Sequence, residues 1–166
     1  MKEIFERRSI RKYTSSPVSN SDIENLLRAA MAAPSAGNQQ PWEFILIKDK
    51  NMLTDITKVH PYSQMLKEAA LAIVICADLD KEKHDGCWVQ DCSAATENIL
   101  IEAQHLGLGS VWIGVYPKED LVKGLKELLN LPVRIVPLSI VSLGYPAENK
   151  EPSTRYDKLR IHINKW

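Results

Sequence analysis

Three arginines fall within five positions near the start of the chain, Arg7, Arg8 and Arg11, with the hydroxyl of Ser9 between them. Guanidinium forks pair bidentately with phosphate oxygens, and charge-assisted hydrogen bonds are about twice as strong as neutral ones, so the cluster suits an oxyanion such as a phosphate. The same composition describes a solvated basic face, the ordinary fate of an isolated basic run. A second segment, Ala33-Pro34-Ser35-Ala36-Gly37-Asn38-Gln39-Gln40-Pro41-Trp42, is built of small residues and amides. Its lack of bulk lets backbone approach a flat ligand. Gly107 and Gly109 permit a tight turn, but no third glycine completes G-x-G-x-x-G, and no dinucleotide fingerprint is assigned.

Absent are the nucleophile elbow G-x-S-x-G, the zinc motif H-E-x-x-H and the phosphate loop G-x-x-x-x-G-K-[ST]. A chain without an evident side-chain catalyst fits cofactor chemistry, in which a bound group carries the electrons and the protein orients it. Cys76, Cys87 and Cys92 are odd in number and lack C-x-x-C spacing, so they read as reduced, structural thiols. His60, His84, His105 and His162 are scattered, and no metal site is predicted.

These segments need elements to position them. Apolar periodicity predicts a short helix over 2–8, ending in the basic run. A second helix is expected to begin at Ser21, with Ser21 and Glu24 at capping-box spacing, and to stop at Pro34. Strands are expected at 43–48 and at 70–77, the latter apolar on both faces. The longest helix spans about 85–106, capped by Gly107, followed by a strand over 109–115. Pro117 is expected at the first position of a helix reaching Leu128, before a last strand over 133–143. Residues 145–166 form a polar arm with Pro146, Pro152, Arg155, Lys158 and Arg160. Its end, with Ile161, Ile163 and Trp166, suits strand addition to the parent body or to a second subunit.

The 166 residues make one domain with room for a real core, and interleaved helices and strands without repeats predict a layered α+β or α/β unit. Lys plus Arg and Asp plus Glu each total 21, so no global field draws in nucleic acid or an anionic membrane surface. No stretch approaches the roughly 20 apolar residues of a bilayer span. A cytoplasmic location is expected.

With R-R-S-I-R at 7–11, P-S-A-G-N-Q-Q-P-W at 34–42, S-V-W-I-G at 110–114 and S-L-G-Y-P at 142–146, the sequence resembles the nitroreductase family, in the family's order over essentially the whole chain. The resemblance implies an α+β, nitroreductase-like fold with a mixed central sheet flanked by helices. It implies an intertwined homodimer that binds FMN, with one domain over 1–166 and an arm from about 145 extending to the partner subunit. Arg7, Ser9 and Arg11 match the positions that hold the phosphate and ribityl end, Arg8 contributing through its backbone. Pro34, Ser35, Ala36 and Asn38 match the loop that reaches the flavin of the partner. Trp112, Ile113, Gly114 and Val115 match the strand end against the isoalloxazine ring, where a backbone N–H points at the hydride-accepting nitrogen. Arg155 matches a late basic residue returning to the phosphate, with Lys158 and Arg160 as alternatives, and Gln64 a partner of the ring's pyrimidine edge.

The implied activity is FMN-dependent, ping-pong hydride transfer from NAD(P)H to a nitroaromatic, quinone or similar acceptor. The alternative is a flavin-binding redox store or sensor without efficient NAD(P)H turnover. The chain is short for the family, which implies an open pocket, with Tyr62, Trp88 and Tyr116 as candidate lining.

Overall fold

The computed structural model describes residues 2–166. Helix α1 is Lys2–Glu6, shorter than expected, because the chain goes extended after Arg7 and Ser9 bridges to Ser110 in parallel. Helix α2, Asn20–Met31, starts earlier than the Ser21 reading. Two overlapping Ser-x-x-acid patterns compete here, and the first prevails: the Ser19 hydroxyl accepts from Asp22 N at 3.0 Å, while Glu24 turns outward to Arg28 at 2.6 Å.

Strand β1 (Trp42–Ile47), helix α3 (Lys50–Val59) and strand β2 (Leu71–Asp78) follow. Helix α4 is Trp88–His105. It ends in a Schellman motif in which Gly107, at φ +72°, turns left-handed while Gly107 N and Leu108 N donate to Gln104 O and Ala103 O. Then come strand β3 (Gly109–Gly114), helix α5 (Glu119–Leu128) and strand β4 (Ile135–Gly144). Pro117 does not open α5 as expected. It follows a cis peptide after Tyr116, and Lys118 is the N-cap, with Glu119 and Asp120 placed against the helix dipole.

The strands form one sheet in the order β1-β2-β4-β3, antiparallel at every pairing, and its parallel component is confined to the Ser9–Ser110 bridge. Every residue of β2 is buried, as its unbroken apolar run requires. Alternation divides it: Leu71, Ile73, Ile75 and Ala77 meet α2 and α4 on one face, while Ala72, Val74 and Cys76 meet α3 and α5 on the other. The sheet is thus the middle of three layers.

Two local features place the end of β3. The register between β2 and β4 skips Leu138, and this bulged residue's carbonyl accepts from both Val115 N and Tyr116 N at 3.0 Å, turning the chain out of the sheet after Gly114. Pro137, which has no N–H for a ladder, sits beside the bulge. At the other end, Gly109 lets the segment carrying Ile10 lie directly on β3, since a Cβ there would stand 2.7 Å from Ile10 Cγ2.

The base of the arm is tied down, with Lys150 Nζ donating to Ser9 O at 2.7 Å and Ala147 N to Lys12 O at 2.9 Å. Every residue from Glu151 to Trp166 is exposed.

Gly109→Ala forces Ile10 off the strand, and overpacking of this kind costs about 1–3 kcal/mol. Urea denaturation is expected to show that loss, with a faster exchange of the Ile10 amide, which in the native fold donates to Ser110 O at 2.9 Å.

Candidate functional site

A cavity of about 550 Å³ runs along the outer edge of β3. Val111 to Val115 form its floor, the turn from His60 to Met65 one wall, Tyr116 to Lys118 a rim, and Arg11 one end. The floor is a sheet edge with a definite polarity. The β4 residues whose carbonyls face β3 include Leu138, so the paired residues on β3 are Gly109, Val111 and Ile113. Ser110, Trp112 and Gly114 then turn their backbone groups outward. Two contacts agree: Ser110 O accepts from Ile10 N at 2.9 Å, and Gly114 O lies 2.8 Å from His60 Nε2. The N–H groups of Trp112 and Gly114 are directed to the cavity side. Val115 N, by contrast, is spent on Leu138 O.

Among the described residues lining this cavity, Arg11 and Lys118 are cations and none is Asp or Glu. Lys118 makes no ion pair among the described residues, and its ammonium lies 5.7 Å from the centre of the Tyr62 ring. The Arg11 backbone is fixed by Glu148, whose Oε1 accepts from Arg11 N at 2.6 Å. That bond is the main cause holding the Glu148 carboxyl below the usual carboxylate range. Gln64 donates from Nε2 to Thr57 O at 3.2 Å, which fixes its side chain in the wall.

The cavity therefore gathers Arg11, Gln64, Trp112, Ile113, Gly114 and Val115, together with Tyr62 and Tyr116. It does not gather the rest. Trp88 is buried behind the rim, edge-on to Tyr116 at 4.7 Å between ring centres. The three arginines do not converge within one chain as their spacing suggested, because the segment leaves α1 at Arg7 and crosses to β3 at the Ser9–Ser110 bridge, and the three side chains reach three separate depressions. Arg7 stands 3.6 Å from Glu97 and lines a second depression with Arg155, while Arg8 lines a third beside Gly107 and Gly109.

Pro34, Ser35, Ala36 and Asn38 also lie outside the cavity of their own chain. Their loop is clamped from below. Buried Asp91 on α4 accepts from Ala36 N at 2.9 Å and from Gln39 Nε2 at 2.6 Å, and Gln39 Oε1 accepts from Lys83 N and His84 N. The His84 ring packs against Gly37, leaving no space for a side chain there. Asp91 and Lys118 escaped the sequence reading, as did the individual roles of Gln39, His84 and His60, of which Gln39 was read only as part of the loop and the two histidines only as scattered. Asp91 carried a signal of its own, a carboxylate on the apolar stripe of Trp88, Cys92 and Ala95.

Burial pushes the thiols of Cys76 and Cys92 up to about 12, so both stay protonated and structural at neutral pH. Among the described residues no group of His, Cys, Asp or Glu is arranged to hold a metal ion, and no helix is long and apolar enough to cross a membrane.

A family model described as the nitroreductase family matches residues 4–61 and 53–145. An Archaeoglobus fulgidus protein, provisionally named NADH dehydrogenase/NAD(P)H nitroreductase, is 53% identical over 100% of this chain and 98% of its own. A crystal structure from Clostridium acetobutylicum, provisionally named an NADH oxidase, superposes with a TM-score of 0.96 at 49% identity over 99% of both chains. An FMN-dependent nitroreductase from Clostridium difficile superposes with a TM-score of 0.92 at 34% identity over 100% of both.

Asp91→Ala leaves the Ala36 and Gln39 donors without their buried acceptor, a loss of about 1–3 kcal/mol per unpaired group. Hydrogen exchange is expected to quicken at Ala36, Lys83 and His84 while β2 stays protected; unchanged exchange at Ala36 would remove Asp91 from the role of clamp.

Proposed function

The chain belongs to the nitroreductase family, and we propose that it is an FMN-dependent NAD(P)H oxidoreductase acting as a homodimer. The observation that carries this reading is the open edge of β3, where outward amides of Trp112 and Gly114 meet a cavity lined by Arg11 and Lys118 and by no carboxylate. Such a site suits a flat ring with an attached phosphate. The apolar strand suits the ring face, the amides suit polar atoms on its rim, and Arg11 and Lys118 give the lining a positive charge that no acid within it offsets.

On this reading Arg7, Ser9 and Arg155 hold the phosphate, with Arg8 contributing backbone, and Arg11 bridges from there to the ring end. Arg7 shares its depression with Arg155, and Arg11 stands at one end of the cavity along β3. Gln64 borders the pyrimidine side, and Trp112 to Val115 form the bed of the ring. Pro34, Ser35, Ala36 and Asn38, which line no part of their own chain's cavity, serve the partner's flavin. Support for the dimer is the arm from 151 to 166, which is exposed throughout yet carries Leu159, Ile163 and Trp166.

FMN supplies the chemistry when bound, taking a hydride from NAD(P)H and releasing the electrons to an acceptor such as a nitroaromatic or quinone. The chain's own part is electrostatic. The Gly114 N–H is a dipole set by the strand and the Arg11 guanidinium a charge at the cavity's end, and both favour the more negative form of a ring beside them. Met65, Val111 and Val115 present apolar surface that excludes water. One cavity serves donor and acceptor in turn.

Purified protein is expected to be yellow and to oxidise NADH or NADPH when menadione or a nitroaromatic is present. A flavin that binds but is reduced by neither nucleotide leaves a redox store instead. Arg11→Ala removes a charge-assisted contact of about 1.5–3 kcal/mol, so FMN is expected to dissociate at least tenfold more readily, with Lys12→Ala within twofold of wild type. Light scattering is expected to give a dimer for the full chain and a monomer for a chain ending at Lys150.

A further inference from the structure

His60 is 2% exposed and has a side chain that the proposed reaction does not use. It follows the last turn of α3, its N–H donating to Ile56 O at 2.9 Å. Ring atom Nε2 lies 2.8 Å from Gly114 O, and Nδ1 lies 3.3 Å from Tyr62 N. A carbonyl only accepts and an amide N–H only donates, so the ring's proton sits on Nε2 and Nδ1 keeps its lone pair. Both nitrogens are committed in a single neutral tautomer.

The ring is a strut between two sides of the cavity. Its own carbonyl accepts from Ser63 N at 3.1 Å and from Ser63 Oγ at 2.7 Å, closing the turn that presents Tyr62 and Gln64. Its Nε2–H ends on the last residue of β3. There the backbone offers two outward polar groups of opposite sign, the Gly114 N–H and the Gly114 C=O. With the carbonyl capped by His60, only the N–H is left to face the cavity.

We propose that His60 is a positioning residue for hydride transfer, capping the Gly114 carbonyl and so fixing the Gly114–Val115 peptide, with the result that the neighbouring Gly114 N–H, and not an acceptor, is presented to the bound ring. The inference rests on the flavoenzyme reading above. Its physical content is that an uncapped carbonyl beside the ring opposes the gain of negative charge, whereas one whose lone pair is taken by an N–H opposes it less. Glutamine can restore both contacts, donating from its amide nitrogen and accepting at its amide oxygen, while leucine fills the space and supplies neither.

The decisive comparison is His60→Leu against His60→Gln in the FMN-loaded protein. His60→Leu is expected to shift the flavin midpoint potential to more negative values and to slow flavin reduction at saturating NADH roughly tenfold, with the KM for NADH changed less than twofold. His60→Gln is expected to recover the potential and most of the rate. A wild-type potential in His60→Leu, or equal losses in both variants, overturns the proposal. The imidazole ¹⁵N spectrum of the FMN-free wild type provides a reading independent of any variant: the Nε2–H tautomer is required, and an Nδ1–H tautomer overturns the assignment even if His60→Leu fails to fold. Failure of the wild type to bind FMN or to be reduced by NADH would instead strike the flavoenzyme reading, leaving the tautomer result standing.

Discussion

An edge strand has to leave half of its backbone polar groups outside the sheet, and the way β3 disposes of them governs the rest of this molecule. The segment bearing Ile10 takes the Ser110 carbonyl, and His60 takes that of Gly114. What remains open is a short stretch with N–H groups facing a cavity. The surrounding structure maintains this arrangement: the Leu138 bulge ends the strand after Gly114, Gly109 admits the covering segment, and the Glu148 carboxylate pins Arg11 beside the opening. A parallel central strand would have had no such edge to offer.

The elements themselves were legible where burial imposes a period. The doubly buried run of β2, the stripe along α4 and the glycine at its end all appear in the sequence as they do in the fold, because each reports a local geometric demand. Boundaries set by competition were less legible. Ser19 and Ser21 both precede an acid by three residues, and the spacing alone does not tell which of them caps α2. Pro117 carried a strong helix-start signal that the turn at Tyr116 overrides.

The site was legible in part for the same reason. Arg11, Gln64 and Trp112 to Val115 meet at one cavity, as motif matching implied. Convergence of Arg7, Arg8 and Arg11 was inferred from closeness in sequence, whereas the segment that leaves α1 for the edge of β3 spreads them over three depressions. His60 gave no signal, since a lone histidine in a polar turn says nothing of the carbonyl 54 positions away that it meets in space. The loop at 34–40 lines no part of its own chain's cavity, and the arm beyond Lys150 is exposed throughout and meets its own chain at the depression shared by Arg7 and Arg155, so neither has its place explained by the cavity along β3.

Whether the ring lies on the open edge of β3 is tested most directly by amide chemical shifts followed during titration of the FMN-free protein with FMN. Large shifts and slowed exchange at Gly114 and Trp112, with Val111 and Ile113 protected before and after, are the predicted result. Perturbation centred instead on Arg8 and Gly107 to Gly109, or on the exposed face of α5, with Gly114 unmoved, would contradict it.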